Sequence, residues 1–352
     1  MWGTPRDLEL IEQMRQDFNE FRSFIHEHKM IVAEGFIRGN GKKECSDFKG
    51  LPLLETKTFQ PYFIEANDLP ITDFSGFVRT AESAREIFKN ATFVSEALPY
   101  DAVFSASFIG VHGDVRLLKY LSVIIGSKVF SYYHILTSGK WLVERDELEA
   151  SDILQMPIPE PATSELSEAC KLFDALVESP ENNRDAEEFV RRIYGMNESE
   201  RYHVDDVIDY VYDYFKKKKK SICFERPSNE QYILYYNATR EILTSVYGKE
   251  YGFNGVLYKG NSPLSVLAMR LESNYLDALE IKENFWEVDE ILHKLESSLV
   301  DENQMIYIRR NLRIYQGKTL YIIKPAQRQY WTYSIACKDA DAIFKDIACA
   351  GR

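Results

Sequence analysis

The sequence is poor in features that would place it in a membrane or outside the cell. It has no run of about eighteen apolar residues, which is the length that a transmembrane helix requires. Its first residues, MWGTP, lack the basic, apolar and small order of a signal peptide. Its five cysteines are odd in number, widely spaced and without a C-x-x-C pair, which favours free thiols over a zinc site. We therefore expect a cytoplasmic protein with no membrane partner and no metal site.

Cations are also scarce relative to acids. The chain has 43 lysines and arginines against 55 aspartates and glutamates, a formal net charge of −12. Because phosphates attract cations, this sign argues against very tight nucleic-acid binding by the chain alone. The charge is nevertheless segregated: residues 31–140 hold twelve groups of each sign, and residues 303–338 hold seven bases and no acid. A charged binding face requires such segregation.

The chain is rich in the side chains that build a core. Hydrophobic residues make up 45% of its 352 residues and aromatics 13%, which predicts a folded chain. Its length allows two domains, or one domain with a substantial appendage. Short strand-like and helical patterns alternate along it and predict an α+β fold. The predicted parts are an N-terminal helix over 1–29, a mixed α/β domain over 30–160, a mainly helical domain with short strands over 161–300, and a basic β-hairpin with a terminal helix over 301–352.

Several local signals predict individual elements. Thr4, Pro5 and Asp7 form a helix start, and the apolar stripe behind them predicts one helix to about residue 28. Asp114 predicts a helix cap, and Asn197 with Glu200 predicts a capping box. The further predicted elements are a strand over 103–111, helices over 229–247 and 282–299, a hairpin around Gly317, and a closing helix over 340–347, started by Asp339 and Asp341.

A set of short segments, in order along almost the whole chain, resembles the C-terminal part of a known family. The segments are Trp2–Leu8, Gly35–Phe36 with Gly39–Gly41 and Leu51–Pro52, Leu117–Pro159, Lys216–Pro227, Gly260–Leu264, and Leu312–Tyr315 with Tyr321–Pro325, Tyr330–Thr332 and Asp339–Asp341. They are similar to the target-recognition and helical region of adenine-specific (N-6) DNA methyltransferases of restriction–modification and phage-defence systems. The resemblance implies that residues 30–160 form a target-recognition domain that inserts loops into the major groove, and that the helical region docks a catalytic partner.

The departure from that family concerns catalysis. Its catalytic members carry an Asn/Asp/Ser-Pro-Pro-Tyr/Phe loop and a glycine-rich cofactor loop. The nearest string here, Leu98-Pro99-Tyr100, has one proline and no side chain that accepts the amine hydrogens. We therefore expect no methyl transfer by this chain, no cofactor within it, and S-adenosylmethionine bound to a separate catalytic subunit or domain.

Three basic segments are the candidate DNA contacts. The glycine-rich segment 35–43 is either a DNA-contacting turn or an ordinary exposed one. The lysine run is either a set of phosphate contacts or a favourable charge at a helix C-terminus. The block 303–338 is either a binding face or core aromatics with solvated bases. The candidate residues are Arg38, Lys42, Lys43, Arg79 and Lys140, with Lys216, Lys217, Lys218, Lys219, Lys220 and Arg313 as backbone contacts.

Two rival functions remain open at this point. The same fold could act as a scaffold of a defence complex that does not bind DNA, which would suit the acidic net charge. A nuclease is the other rival, but the sequence contains no convincing Pro-Asp…Glu-x-Lys or His-rich metal pattern. Recognition of duplex DNA together with a methyltransferase partner is the function that the sequence favours.

Overall fold

The chain folds as an α+β protein in two compact units. The computed structural model describes residues 3–44, 49–55, 66–71, 77–79, 102–139, 148–247, 251–273, 275–276, 278–283, 290, 293 and 312–350. The N-terminal unit comprises Met1–Val204 and the C-terminal unit comprises Asp205–Arg352. The finer predicted boundaries at residues 30, 161 and 301 stay predictions.

Helices dominate the N-terminal unit. They are α1 (Pro5–Asp17), α2 (Phe21–Glu27), α3 (Val115–Ile125), α4 (Lys128–Thr137), α5 (Ala150–Ile153), α6 (Thr163–Glu178), α7 (Arg184–Ile193) and α8 (Glu198–Asp206), whose last residues enter the C-terminal unit. Asn197 and Glu200 form the predicted capping box at the start of α8, with each side chain accepting from the other residue's backbone N–H. Asp114 caps α3 as predicted, since its carboxylate accepts from the backbone of Arg116 at 2.9 Å.

Short strand pairs accompany these helices in the described part of the N-terminal unit. Strand β1 (Asn19–Glu20) pairs with β8 (Pro157–Ile158), β2 (Ile31–Glu34) with β7 (Ile109–His112), and β3 (Ile37–Glu44) with β5 (Phe77–Arg79), all antiparallel. Strand β4 (Leu53–Leu54) pairs with β6 (Val103–Phe104) in parallel. The single strand predicted over 103–111 is wrong, because a turn separates β6 from β7.

The predicted helix start at Thr4 is confirmed. The hydroxyl of Thr4 accepts from the backbone of Asp7, whose carboxylate accepts in return from the Thr4 backbone at 2.6 Å. Asp7 is itself buried and accepts a hydrogen bond of 2.9 Å from the Tyr132 hydroxyl. The prediction of one helix to about residue 28 is wrong: α1 ends at Asp17, because the next residues leave the helix to pair with β8.

Three tyrosine hydroxyls hold the extended segment around β8. Tyr133 donates to the carbonyl of Gln155, Tyr194 to that of Pro157 and Tyr120 to that of Pro159, at 3.2, 2.7 and 2.8 Å. The carbonyls of Pro157 and Pro159 belong to the extended segment, and that of Gln155 belongs to the turn directly before it. Proline has no N–H to donate, so side chains from the surrounding helices fasten this segment through its carbonyls.

Gly35 is required by a close approach of two backbones. A Cβ atom at this position would lie 2.0 Å from the carbonyl oxygen of Ser105, a distance that only glycine avoids. The neighbouring Phe36 forms a bridge to Ser105 and is buried. The glycine at the start of the candidate segment 35–43 therefore serves packing.

His134 is buried in the core of the N-terminal unit without polar partners among the described residues. Ser127 caps the helix that carries it, α4, by accepting from the backbone of Phe130. The His134 side chain is 0% exposed and lies against the Phe130 and Tyr133 rings, and neither ring nitrogen has a hydrogen-bond partner among the residues that the structure describes. Burial lowers the pKa of His134 to about 3, so the folded protein holds this imidazole neutral.

The C-terminal unit begins with a chain of short helical turns. A π-helix over Val207–Tyr212 leads into α9 (Asp213–Lys217), followed by 3-10 turns at Lys218–Lys220 and Ile222–Phe224. The long helix α10 (Asn229–Tyr247) has the bounds that the apolar pattern predicted. The remaining elements are β9 (Gly252–Tyr258), β10 (Leu264–Glu272), β11 (Leu279–Lys282), β12 (Leu312–Gln316), β13 (Thr319–Pro325), a 3-10 turn at Arg328–Tyr330, and α11 (Tyr333–Ala350).

The strands described in the C-terminal unit form one mixed sheet of five, in the order β11-β9-β10-β13-β12. Strands β12 and β13 form the predicted hairpin around Gly317, which adopts a positive φ. One face of the sheet packs on α10 and α11 through Leu267, Met269 and Ile322. Lys282, where a helix was predicted to begin, ends the edge strand β11.

The closing helix is longer than the sequence indicated. It begins at Tyr333, so Asp339 and Asp341 lie inside it and do not start it. A carboxylate that is distant in sequence caps its N-terminus: Asp206 accepts a hydrogen bond from the Ser334 backbone N–H at 2.7 Å. Burial raises the pKa of Asp206 to about 6. Hydrogen bonds from Ser334 and Thr332 lower this pKa but do not offset the effect of burial.

None of the helices that the structure describes combines the length and the apolar character that a membrane span requires.

Acid is expected to destabilise the N-terminal unit through His134. Below about pH 6.5 the His134 imidazole binds a proton in the unfolded chain but stays neutral in the folded chain. The free energy of unfolding therefore falls by up to about 1.4 kcal/mol for each pH unit of acidification. His134→Phe removes this contribution while keeping an aromatic ring between its neighbours. Urea unfolding followed between about pH 7 and about pH 5 measures the slope.

The exposed His26 provides the matched control, because His26→Gln should leave the slope of wild type unchanged. If wild type and His134→Phe lost stability equally on acidification, burial of this imidazole would not be the cause.

Candidate nucleic-acid interface

Five consecutive lysines occupy one ordered turn at the start of the C-terminal unit. Lys216 and Lys217 end α9, and Lys218, Lys219 and Lys220 form the following 3-10 turn. All five side chains are exposed, and we refer to them as the lysine cluster. A π-helix directly precedes α9; such helices are rare and occur frequently at functional sites.

Asp213 fixes the turn that presents the lysine cluster. Its carboxylate accepts from the Ser221 hydroxyl at 2.7 Å and from the Ile222 backbone at 3.0 Å, and it pairs with Lys217 at 2.6 Å. Burial raises the pKa of Asp213, but these hydrogen bonds outweigh it and hold the pKa below its usual value. A single carboxylate therefore ties both ends of the turn together.

Lys218 has a backbone conformation that favours glycine. Its φ is 51° and its ψ −122°, the geometry of the first central residue of a type II′ turn. A residue other than glycine in this conformation lowers the free energy of unfolding by about 1 to 3 kcal/mol. The Lys218 ammonium lies 4.3 Å from the centre of the Phe215 ring, and that of Lys216 lies 5.4 Å from the Tyr212 ring. Aromatic rings thus orient two of the five cations.

A surface cleft of about 310 Å³ lies in the same unit, between the start of α10 and the β9–β10 connection. Arg226 shapes its wall by donating to the carbonyls of Asn261 and Ser262, each at 3.1 Å, and to that of Gly260. Lys259 donates to Asn229 at 2.6 Å and pairs with Glu283 at 2.8 Å. Both cations of the cleft are thus committed to protein oxygen atoms.

Four of the five predicted contacts of the N-terminal unit fall on one antiparallel ribbon. Arg38, Lys42 and Lys43 lie on β3, and Arg79 lies on β5, where it pairs with Ile37. Arg38 and Lys43 both pair with Val78, so the residues between them leave the regular ladder. Folding thereby brings Arg79 beside the 37–43 segment. The expected glycine-rich turn is part of a strand, and Lys140 lies outside the described residues.

Arg313 is engaged within the C-terminal unit. Its guanidinium donates to Asp346 of α11 at 2.9 Å, and the Tyr315 hydroxyl donates to the same carboxylate at 2.9 Å. The alternation of a strand predicts Arg313 and Tyr315 on one face of the hairpin and Leu312 and Ile314 on the other. The structure agrees, since Leu312 and Ile314 pack against the Val266 and Ile323 cluster. Asp346 of α11 therefore partly neutralises the charge that Arg313 would offer to a phosphate.

The described part of the block 303–338 supplies core aromatics, as the second of its two interpretations expected, but its bases are not all solvated. Trp331 is 0% exposed, and its indole donates to the carbonyl of Pro325 at 2.9 Å. Lys324 is 1% exposed and forms a buried ion pair with Asp339. Two of the block's four described tyrosines, Tyr330 and Tyr333, pack against the same core, as does Trp331.

Lys324 is the buried cation that the sequence interpretation missed. It donates to the Tyr235 hydroxyl at 3.1 Å and lies 4.6 Å from the centre of that ring. Burial lowers the pKa of Lys324 to about 8, although Asp339 raises it. The signal was available: Leu320, Ile322 and Lys324 alternate along β13 and so share the core-facing side. Its partner could not be read from the sequence.

Comparison with known proteins does not assign the chain to a family. The chain matches no known protein family, and no curated protein is significantly similar to it. Within the described residues, no group of three or more His, Cys, Asp and Glu side chains is placed to hold a metal ion. The class of protein that the fold defines is an α+β protein with an exposed lysine cluster.

Removing the buried cation is expected to destabilise the C-terminal unit strongly. Lys324→Met leaves the Asp339 carboxylate buried without this ammonium group, which costs about 3 to 5 kcal/mol of unfolding free energy. Adding Asp339→Leu removes the buried charge and should recover most of the loss. Urea unfolding of both variants, with the exposed Lys338→Met as control, measures the difference. An equal loss in the single and double variants would contradict the ion pair.

Relieving the strain at Lys218 is expected to stabilise the turn. Glycine adopts this φ and ψ without penalty, so Lys218→Gly should raise the free energy of unfolding by about 1 kcal/mol. Lys219→Gly removes the same charge at a negative φ and should lower it by about 0.5 to 1 kcal/mol. Thermal unfolding of the two variants tests the geometry, and the same sign of shift in both would contradict it.

Proposed function

We propose that this chain binds duplex DNA as the recognition part of an adenine DNA methyltransferase system, in restriction–modification or phage defence. In this proposal the catalytic step and S-adenosylmethionine belong to a separate subunit or domain. The chain contributes shape and positive surface. The resemblance of the sequence to a methyltransferase family supports the role in methylation, and the positively charged surfaces support the binding of DNA.

The lysine cluster is the observation that carries the proposal. Its five exposed cations stand on one turn that Asp213 fastens. The sequence of the C-terminal unit has twenty-one lysines and arginines against twenty-one aspartates and glutamates, so the net charge of −12 resides in residues 1–204. A locally positive surface in an electrically balanced unit attracts a polyanion despite the acidic chain as a whole.

The β3–β5 ribbon supports the proposal from the N-terminal unit. A two-stranded antiparallel ribbon fits the major groove of B-DNA, where each base pair presents a distinct pattern of donors and acceptors. Arg38, Lys43 and Arg79 occupy neighbouring positions on this ribbon. Arginine and lysine are the side chains that most often recognise guanine there.

A scaffold that does not bind DNA is the second candidate. The acid excess of residues 1–204 favours it, because an acidic surface repels phosphates and suits contact with a basic protein partner. The two candidates differ in one observable, which is binding to duplex DNA at low salt.

Neutralising the lysine cluster is expected to weaken DNA binding and its salt dependence together. If each lysine contacts one phosphate, changing all five to glutamine reduces the slope of log Kd against log salt by about 4 to 5 units. Fluorescence anisotropy with a labelled duplex, across about 50 to 200 mM potassium chloride, measures the slope for the full chain. A parallel variant, Lys42→Gln with Lys43→Gln, tests the ribbon.

A control variant with the same change of net charge distinguishes contacts of the lysine cluster with phosphates from the effect of the protein's overall charge. It replaces five scattered exposed lysines with glutamine: Lys49, Lys171, Lys318, Lys338 and Lys345. Equal slopes for the cluster variant and this control would count against the lysine cluster. Absence of duplex binding at low salt, with a stable protein complex retained, would favour the scaffold.

A further inference from the structure

Two exposed aromatic rings stand beside the lysine cluster. Tyr214 is 39% exposed and Phe224 is 41% exposed. Their ring centres are 5.9 Å apart and their planes meet at 73°, an edge-to-face arrangement. Tyr214 lies on α9 two residues before the first lysine, and Phe224 ends the 3-10 turn that follows the last one. Along the chain, therefore, the two rings bracket all five cations.

The segment that carries Phe224 is held by internal hydrogen bonds. Ser221 accepts from the Cys223 backbone at 3.1 Å, and the Cys223 thiol donates to the carbonyl of Tyr210 at 3.1 Å. Cys223 is buried beneath the turn. Together with the bonds from Ser221 and Ile222 to Asp213, these contacts fix the position of Phe224 before any ligand arrives. Such preorganisation reduces the entropy lost on binding.

Adjacent rings and cations match the two chemical features of an unpaired nucleic-acid strand. Phosphates bind cations, and the faces of unpaired bases stack on aromatic side chains. A continuous duplex offers the phosphates but hides the base faces inside its stack. An anionic membrane is a poorer match, since a membrane-bound helix buries a broad apolar face, and here two rings already cover each other in part.

We propose that Tyr214, Phe224 and the lysine cluster form a binding surface for a nucleic-acid strand with unpaired bases. One ring stacks on a base while the lysines contact the flanking phosphates. This inference rests on the proposed DNA-binding function, and it refines the ligand from duplex alone to DNA that contains unpaired nucleotides.

Removing the rings is expected to weaken single-strand binding selectively. Stacking contributes about 1 to 3 kcal/mol per base, so Tyr214→Ala or Phe224→Ala should raise the Kd for a labelled oligothymidine about 5- to 150-fold. The Kd for a duplex should change by less than about twofold. Tyr214→Phe and Phe224→Tyr keep a ring and should keep single-strand affinity. Phe344→Ala, at an exposed phenylalanine of α11, is the matched control.

A direct probe of stacking does not depend on how the alanine variants fold. An oligothymidine carrying one 2-aminopurine should lose fluorescence when it binds wild type, because stacking on an aromatic ring quenches that base. Wild-type binding without quenching overturns the inference, as does an unchanged oligothymidine Kd in folded alanine variants. Phosphatidylserine vesicles provide the third ligand, and ring-dependent binding to vesicles without binding to oligothymidine would assign the surface to a membrane.

The design separates the two proposals. Duplex binding that persists while the rings have no effect on oligothymidine would overturn this inference and leave the proposed function standing. Absence of both kinds of DNA binding at low salt would overturn both.

Discussion

The buried ion pair between Lys324 and Asp339 is the interaction on which the C-terminal unit depends. It joins β13 to α11 inside the core, where the Tyr235 hydroxyl donates to the same carboxylate at 2.6 Å. A buried charge is tolerated only with a partner, so the sheet and the helix must meet in a register that brings these two groups together. In the same core Trp331 packs against Tyr235, with ring centres 4.9 Å apart.

Several cations of the C-terminal unit are likewise bonded to oxygen atoms of the protein. Lys324 is committed to the core, Arg313 to Asp346, and Arg226 to the carbonyls of the β9–β10 connection. These residues stabilise the fold, although the sequence interpretation had placed Arg313 among the DNA contacts. The lysine cluster differs because all five of its residues are exposed, on a turn that Asp213 fastens. The proposed function rests on this difference.

Local signals allowed much of the secondary structure to be predicted. The bounds of α10, the hairpin around Gly317, the Asp114 cap and the capping box of Asn197 all agree with the structure. Each depends on hydrogen bonds or apolar spacing within a few residues. The errors arose where distant segments pair: α1 stops because residues 19–20 pair with β8, and α11 starts early with Asp206 at its N-terminus.

For the site, the sequence by itself determined which segments are basic, and it determined the face that Arg313 shares with Tyr315. Only the tertiary structure decided which bases remain exposed, because Asp346 and Asp339 reach their partners from a helix later in the chain. It also placed Arg79 beside the 37–43 segment and Phe224 against Tyr214. Composition and periodicity act along the chain, whereas ion pairs and ring contacts form through space.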